Sequence, residues 1–305
     1  MKAKPIPSLS RRYFISKAVA GSALLLATPL LSEAHSYLPV DNKVTVGQIM
    51  DLFIGEVPGA PFEGTVDTLK SGSRDIVVTG IVTTMFATID VIRKAIALNA
   101  NFIIAHEPTF YNHRDETNWL EADDVYHYKV DLLKQHNIAV WRNHDYIHSL
   151  KTDGVKKALS EQLGWQKFAD IDERDIYNLA PALTLKALIA HAKARLNIAE
   201  VRYIGNPEQV CKKVLLFPGA AGGTRQITAI IKTKPDVMMC GEISEWETAE
   251  YVRDARAKGK SLCLIVLGHS ASEEPGAEFM LKWIKDKYPA ITVTHIPSGS
   301  ALSFM

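Results

Sequence analysis

The sequence predicts an α/β fold whose strands are buried and mainly parallel. Two observations carry that prediction. Short apolar runs alternate with longer segments in which apolar residues recur at helical spacing, as a strand–helix–strand chain requires. The runs are also apolar throughout, which is the pattern of strands covered on both faces. With 305 residues, 47% of them hydrophobic, the chain can close a sizeable core. Its 35 basic and 34 acidic side chains leave a net charge of +1. That balance excludes the electrostatic footing for nucleic acid or an anionic membrane surface as partner.

Residues 1–34 are expected to lie outside the fold. "SRRYFISK" (10–17) precedes the apolar run "AVAGSALLLATPLL", and small residues Ser32 and Ala34 follow. This is the plan of a signal peptide cut after Ala34, and the apolar run is short for a membrane span. Arg11 and Arg12 before Tyr13 and Phe14 match a twin-arginine export signal, the alternative being an ordinary secretory signal. The expected product, residues 35–305, is exported to the periplasm or another extracytoplasmic space, with no stable membrane association after cleavage.

The first strand is predicted over 75–83 ("DIVVTGIVT"), after which Ile89, Ile92, Ala95 and Ile96 share one helix face. Asn99 to Asn101 turns the chain into a strand at 102–105. A helix at 125–135 precedes a strand at 138–141, and a helix at 154–163 is stopped by Gly164. The polar stretch "QKFADIDERDIYN" (166–178) reads as a linker, which would divide the chain into halves 35–165 and 166–305. Beyond it come a helix at 184–196 and strands at 201–204, 214–217, 237–240, 262–267 and 291–295. Helices at 224–232, 246–258 and 278–287 separate the later ones. Cys211, Cys240 and Cys263 lie far apart without a CxxC motif, and two sit in apolar runs. Buried free thiols are expected, not ligands.

The chemistry gathers where strands end. The run 102–105 meets His106 and Glu107; the run 138–141 meets "RNHDYIH", with His144, Asp145 and His148; the run 262–267 meets "GHSASEE", with His269, Glu273 and Glu274. Ligand sites of open α/β sheets lie beyond the carboxyl ends of the strands, so these clusters can converge. Imidazole and carboxylate donors without thiolate suit zinc, iron or manganese. His269 and Glu273 share a face if that segment is helical. Two neighbouring ions activate water for hydrolysis. Singly, each cluster also fits a solvated turn or helix surface. "HEPTF" is not HExxH, "GHSAS" lacks the last glycine of a nucleophile elbow, and "PGAAGG" (218–223) lacks the lysine of a P-loop.

The ordered segments "FIIAHEP", "RNHDYIHSLKTDGVKKAL", "VLLFPGAAGG", "DVMMCGEISEWETAEYVRDA" and "VLGHSASEEPG" resemble the NIF-three-like family of dinuclear-metal-centre proteins, the GTP cyclohydrolase I type 2 homologues. The resemblance runs from "TVGQIMDLF" (45–53) to the C-terminal region. It implies two intertwined α/β halves with mixed, mostly parallel sheets, assembled as a homohexameric ring. It also implies two divalent ions per subunit, held here by His106, Glu107, His148, His269 and Glu273. The family's His–His–Pro becomes His106–Glu107–Pro108, its middle aspartate is matched by His148, and its GHxxxE motif is intact at Gly268, His269 and Glu273. Its Trp-Asp-Asn stretch is replaced by "GTVDTLKSGS" (64–73). The expected function is a metal-dependent hydrolase acting on a small molecule, the alternative being a non-catalytic metal-binding scaffold or sensor.

Overall fold

A computed structural model describes residues 43–303 and 305; the expected signal segment lies outside them. The fold opens with α1 (Val46–Gly55), where Thr45 and Gln48 form a reciprocal capping box and Val46, Ile49, Met50 and Phe53 face inward. There follow β1 (Leu69–Ser71), β2 (Ile81–Thr84), α2 (Ile89–Ala97), β3 (Phe102–Ala105), α3 (Asp124–Gln135), β4 (Ala139–Arg142), the single turn α4 (Asp145–His148) and α5 (Gly154–Leu163). Next are β5 (Ile176–Thr184), α6 (Leu185–Leu196), β6 (Arg202–Ile204), β7 (Val210–Phe217), α7 (Gly223–Thr233) and β8 (Val237–Cys240). A π-helical turn, Glu245–Ala249, enters α8 (Glu250–Ala257). The chain ends through β9 (Cys263–Val266), α9 (His269–Lys287) and β10 (Val293–His295).

These strands make two five-stranded sheets, ordered β1-β4-β3-β2-β10 and β5-β7-β8-β9-β6. In the first, β4, β3, β2 and β10 are parallel and β1 is antiparallel. In the second, β7, β8 and β9 are parallel between antiparallel β5 and β6. The architecture is therefore mixed α/β with largely parallel centres, and β2, β3, β4, β8 and β9 are buried along their whole length. The chain crosses to the second sheet after α5 and then returns. β10 pairs with β2, and Met280, Trp283 and Ile284 of α9 share one core with Val46, Phe53 and Trp141.

The helix α1, the strand β1 and the turn α4 were not expected, β7 starts at Val210 and not at 214, and three further elements differ for identifiable reasons. The strand expected over 75–83 forms only from Ile81. Before it, Ile76 and Val78 bond to the backbone of residues 44 and 46, and the Asn101 amide takes Thr79 N and Val77 O. The linker expected at 166–178 contains the start of β5, where Ile176 and Tyr177 are buried behind the charged "DERD". The helix expected from 278 begins at His269, running through Pro275, a residue that argues against helix interior because it lacks an N–H donor. All three cysteines are buried and free.

Candidate metal centre

The carboxyl ends of β3 and β4 in one sheet, and of β8 and β9 in the other, open on one cavity of about 1740 Å³. His106 and Glu107 follow β3 directly, and His144 and His148 flank α4 just beyond β4. Glu242 comes two residues after β8, and His269 and Glu273 occupy the first turn of α9. Local backbone bonds hold these ends in place. His106 N and Glu107 N both donate to Met85 O, and Asn143 N donates to Ala105 O. Buried Asp67 accepts from the backbone N–H groups of His144, Asp145 and Tyr146 at 2.8, 3.0 and 2.7 Å. That carboxylate satisfies the exposed donors at the start of α4 and fixes a turn too short to hold itself.

Four imidazoles are mounted in the same manner. Nδ1 of His106 lies 3.1 Å from Asn143 O. Nδ1 of His144 lies 2.9 Å from Asp145 Oδ1, that of His148 3.0 Å from Asp153 Oδ2, and that of His269 2.9 Å from Glu242 Oε1. Carbonyl and carboxylate oxygens only accept, so these partners assign the proton to Nδ1 in the neutral ring and leave Nε2 as a free lone pair. The Nε2 atoms turn towards the carboxylates of Glu107 and Glu273. His269 Nε2 is 3.2 Å from Glu107 Oε1 and 3.0 Å from Glu273 Oε2. His144 Nε2 is 3.6 Å from Glu107 Oε1, and His148 Nε2 is 3.8 Å from Glu273 Oε1. His106 Nε2 stands 3.5 Å from Glu273 Oε2, buried and without a hydrogen-bond partner.

Electrostatics bind this cluster together. Burial opposes ionisation of Glu273, yet His106 and His269 hold its carboxyl far below the ordinary range. Burial likewise opposes the His269 cation, but Glu107, Glu242 and Glu273 push its pKa up to about 12. His144 moves the other way, down to about 4, through burial and the neighbouring His106. Protons and imidazolium charge thus compensate the carboxylates, a place that cations can take. Glu107 is also gripped from behind, its Oε2 3.1 Å from Nη2 of fully buried Arg142.

The residues fit divalent metal ions on a physical test. A buried imidazole nitrogen without a partner is costly. Here it faces two carboxylates and three more imidazoles whose outer nitrogens are braced as metal-bound histidines are. The donor atoms of His106, His144 and His148 lie within 4.8 Å of one another, as do those of His106, Glu107 and Glu273. The structure brings together all five residues singled out from sequence: His106, Glu107, His148, His269 and Glu273. It adds His144, whose ring stacks 4.9 Å from that of His106, and the bracing Asn143, Asp153 and Arg142. Asp67 was hidden in the unremarkable "GTVDTLKSGS". Only its spacing from the start of α4 in three dimensions gives it a role. His113 lines the cavity, whereas His127 and His191 are tied to backbone carbonyls elsewhere.

The "PGAAGG" segment also belongs to the centre. Gly219 has φ +68°, and a β-carbon there would overlap the Glu273 carboxylate. Its N–H donates to Ser272 Oγ at 3.0 Å. The glycine therefore lets the turn after β7 press against Glu273.

A family profile, Duf34/NIF3 (NGG1p interacting factor 3), matches residues 68–300. A GTP cyclohydrolase 1 type 2 homolog of Clostridium acetobutylicum is 25% identical over 224 residues, spanning 70% of this chain and 79% of that protein. The homolog of Clostridium perfringens is 24% identical over 220 residues, spanning 68% and 78%. Among solved structures, a Staphylococcus aureus hypothetical protein superposes with a TM-score of 0.69 at 20% identity, covering 87% of this chain and all of the other. A Bacillus cereus protein related to NIF3 gives 0.68 at 16% identity, covering 86% and 98%. At such identities the superpositions establish a shared fold.

Proposed function

The chain belongs to the Duf34/NIF3 family, and on that premise we propose that it is a two-metal hydrolase of small molecules. Six residues, His106, Glu107, His144, His148, His269 and Glu273, would hold the ions. The observation that carries this reading is the common mounting of four imidazoles, each with Nδ1 braced by an oxygen and Nε2 turned to the carboxylates. A pair of divalent ions supplies Lewis acidity and lowers the pKa of water at neutral pH. The residues do the rest. Asn143, Asp145, Asp153 and Glu242 set tautomer and ring orientation, and Glu242, half-exposed at the cavity wall, is placed to take up a proton.

The cavity suits a polar small molecule. Phe62, Phe86 and Tyr111 give it an apolar side, and Lys151, Arg174 and Arg225 reach it as cations. The relatives named as GTP cyclohydrolase 1 type 2 homologs make ring-opening hydrolysis of a cyclic amidine the first reaction to assay. Twin-arginine export and a hexameric ring remain part of the proposal. The test is elemental analysis of the purified chain with a hydrolytic panel on the loaded protein. Two ions per chain, lost in His269→Ala together with turnover, support the reading. Fewer than one ion per chain, unchanged in His269→Ala, overturns it. Full loading without turnover would make the protein a metal-binding scaffold.

A further inference from the structure

We propose that the two ion positions differ in donor chemistry, one rich in imidazole and one rich in carboxylate, and that Glu107 makes them differ. The inference rests on the two-metal reading above and assigns each position its class of ion.

One side of the cluster is built of nitrogen. The donor atoms of His106, His144 and His148 lie within 4.8 Å of one another, and their rings stand 4.9 to 5.1 Å apart. Carboxylate oxygens border this side at 3.5 to 3.8 Å, Glu273 Oε2 from His106, Glu107 Oε1 from His144 and Glu273 Oε1 from His148. His106 also belongs to the second donor group, with Glu107 and Glu273. The other side is built of oxygen. There Glu107 Oε1 lies 3.2 Å and Glu273 Oε2 3.0 Å from a single imidazole nitrogen, His269 Nε2. A third carboxylate, Glu242, backs that same ring. Glu273 is common to both sides, its Oε1 facing His148 and its Oε2 facing His106 and His269. Glu107 Oε1, by contrast, lies closer to His269 than to His144, so Glu107 is the residue that enriches the second side in oxygen.

Arg142 makes the separation firm. Its guanidinium is fully buried and takes Glu107 Oε2 at 3.1 Å, while its Nε donates to His106 O at 3.3 Å. It also donates to His113 O. Asp115 stands 3.7 Å behind it, and Lys70 pairs with Asp115 at 3.1 Å. One oxygen of Glu107 is thereby committed, and Oε1 alone faces the centre as a fixed anionic donor. Imidazole sets suit zinc and other later transition ions, while carboxylate sets with water suit manganese and magnesium. The nitrogen side should hold a zinc-like ion tightly and the oxygen side a manganese-like ion that exchanges.

The test loads the full chain with manganese and titrates zinc, following released manganese by its electron paramagnetic resonance. The expected result is two steps, with the second manganese leaving only at roughly tenfold or more higher free zinc than the first. In Glu107→Gln, whose amide still accepts from Arg142, manganese at the second position should weaken by about tenfold while the first zinc binds as before. The wild-type titration stands alone if that variant does not fold. Release of both ions in one step, or equal weakening of both positions in Glu107→Gln, overturns the inference and leaves the two-metal reading intact. Uptake of neither metal overturns both.

Discussion

Gly219 and Glu273 are in such close contact that a β-carbon on the glycine would come 2.7 Å from Glu273 Cδ. The turn after β7 and the first turn of α9 thus share one packing surface, and the carboxylate is set by the absence of a side chain opposite it. Gly219→Ala should weaken metal binding at least tenfold, about 1.4 kcal/mol, as read by competition with a chelating dye. Gly222 has a similar φ of +81° but open space beyond it, so Gly222→Ala shares the backbone strain without the overlap. Its metal affinity should stay at the wild-type value. Equal losses in both variants would assign the effect to backbone strain alone.

Asp153 serves two ends at once. Its Oδ1 accepts from Val155 N and Lys156 N at the start of α5, and its Oδ2 meets His148 Nδ1. Asp153→Asn keeps a capping oxygen but places an amide against the imidazole. Metal affinity should fall by about 10- to 100-fold with little change in the urea midpoint. A parallel loss of stability would show that the residue matters as a helix cap.

Arg142 is a buried cation between two carboxylates, Glu107 and Asp115. Arg142→Met leaves both without it and should cost about 3–5 kcal/mol of stability, measured by chemical denaturation of the metal-free protein. Adding Glu107→Gln removes one of the stranded charges, so the double variant should recover part of that loss. Additive losses would show that the pair is not coupled.

Lys129 gives a pH dependence away from the centre. Its ammonium is buried, bonded to Thr109 O at 2.6 Å, and burial lowers its pKa to about 8. Between that value and the ordinary lysine pKa, the unfolded chain binds a proton that the folded chain has released. Stability must therefore rise with pH across about pH 8 to 10.5. Relative to Lys129→Met, the wild type should gain up to roughly 3 kcal/mol over that window. A flat difference between the two would contradict the burial penalty.

Much of this was legible in the sequence because local rules and tertiary demand agree. Thr184, Asn197 and Gly164 end their helices as capping chemistry requires, and the runs at β3 and β8 have no polar residue to confuse them. His269 and Glu273 were paired by helical spacing alone. What escaped was set by contacts distant in sequence. The start of β5 is masked by neighbouring charges, of which Glu173 and Asp175 are paired with Lys213 and Lys156, and the start of α9 by a proline. Sequence alone selects His148 and passes over His144, because Asp67, 77 residues before His144, helps fix the turn that presents both. Arg142 reads as the polar end of a strand until Glu107 is found 3.1 Å away.

The central claim is that His106, Glu107, His144, His148, His269 and Glu273 enclose two divalent ions. Anomalous diffraction from crystals of the protein loaded with zinc and manganese, collected at both absorption edges, tests it most directly. The account predicts two peaks per chain inside this cluster, the zinc peak beside His106, His144 and His148 and the manganese peak beside Glu107 and His269. No peak within reach of these side chains, with ions bound elsewhere or not at all, would contradict it.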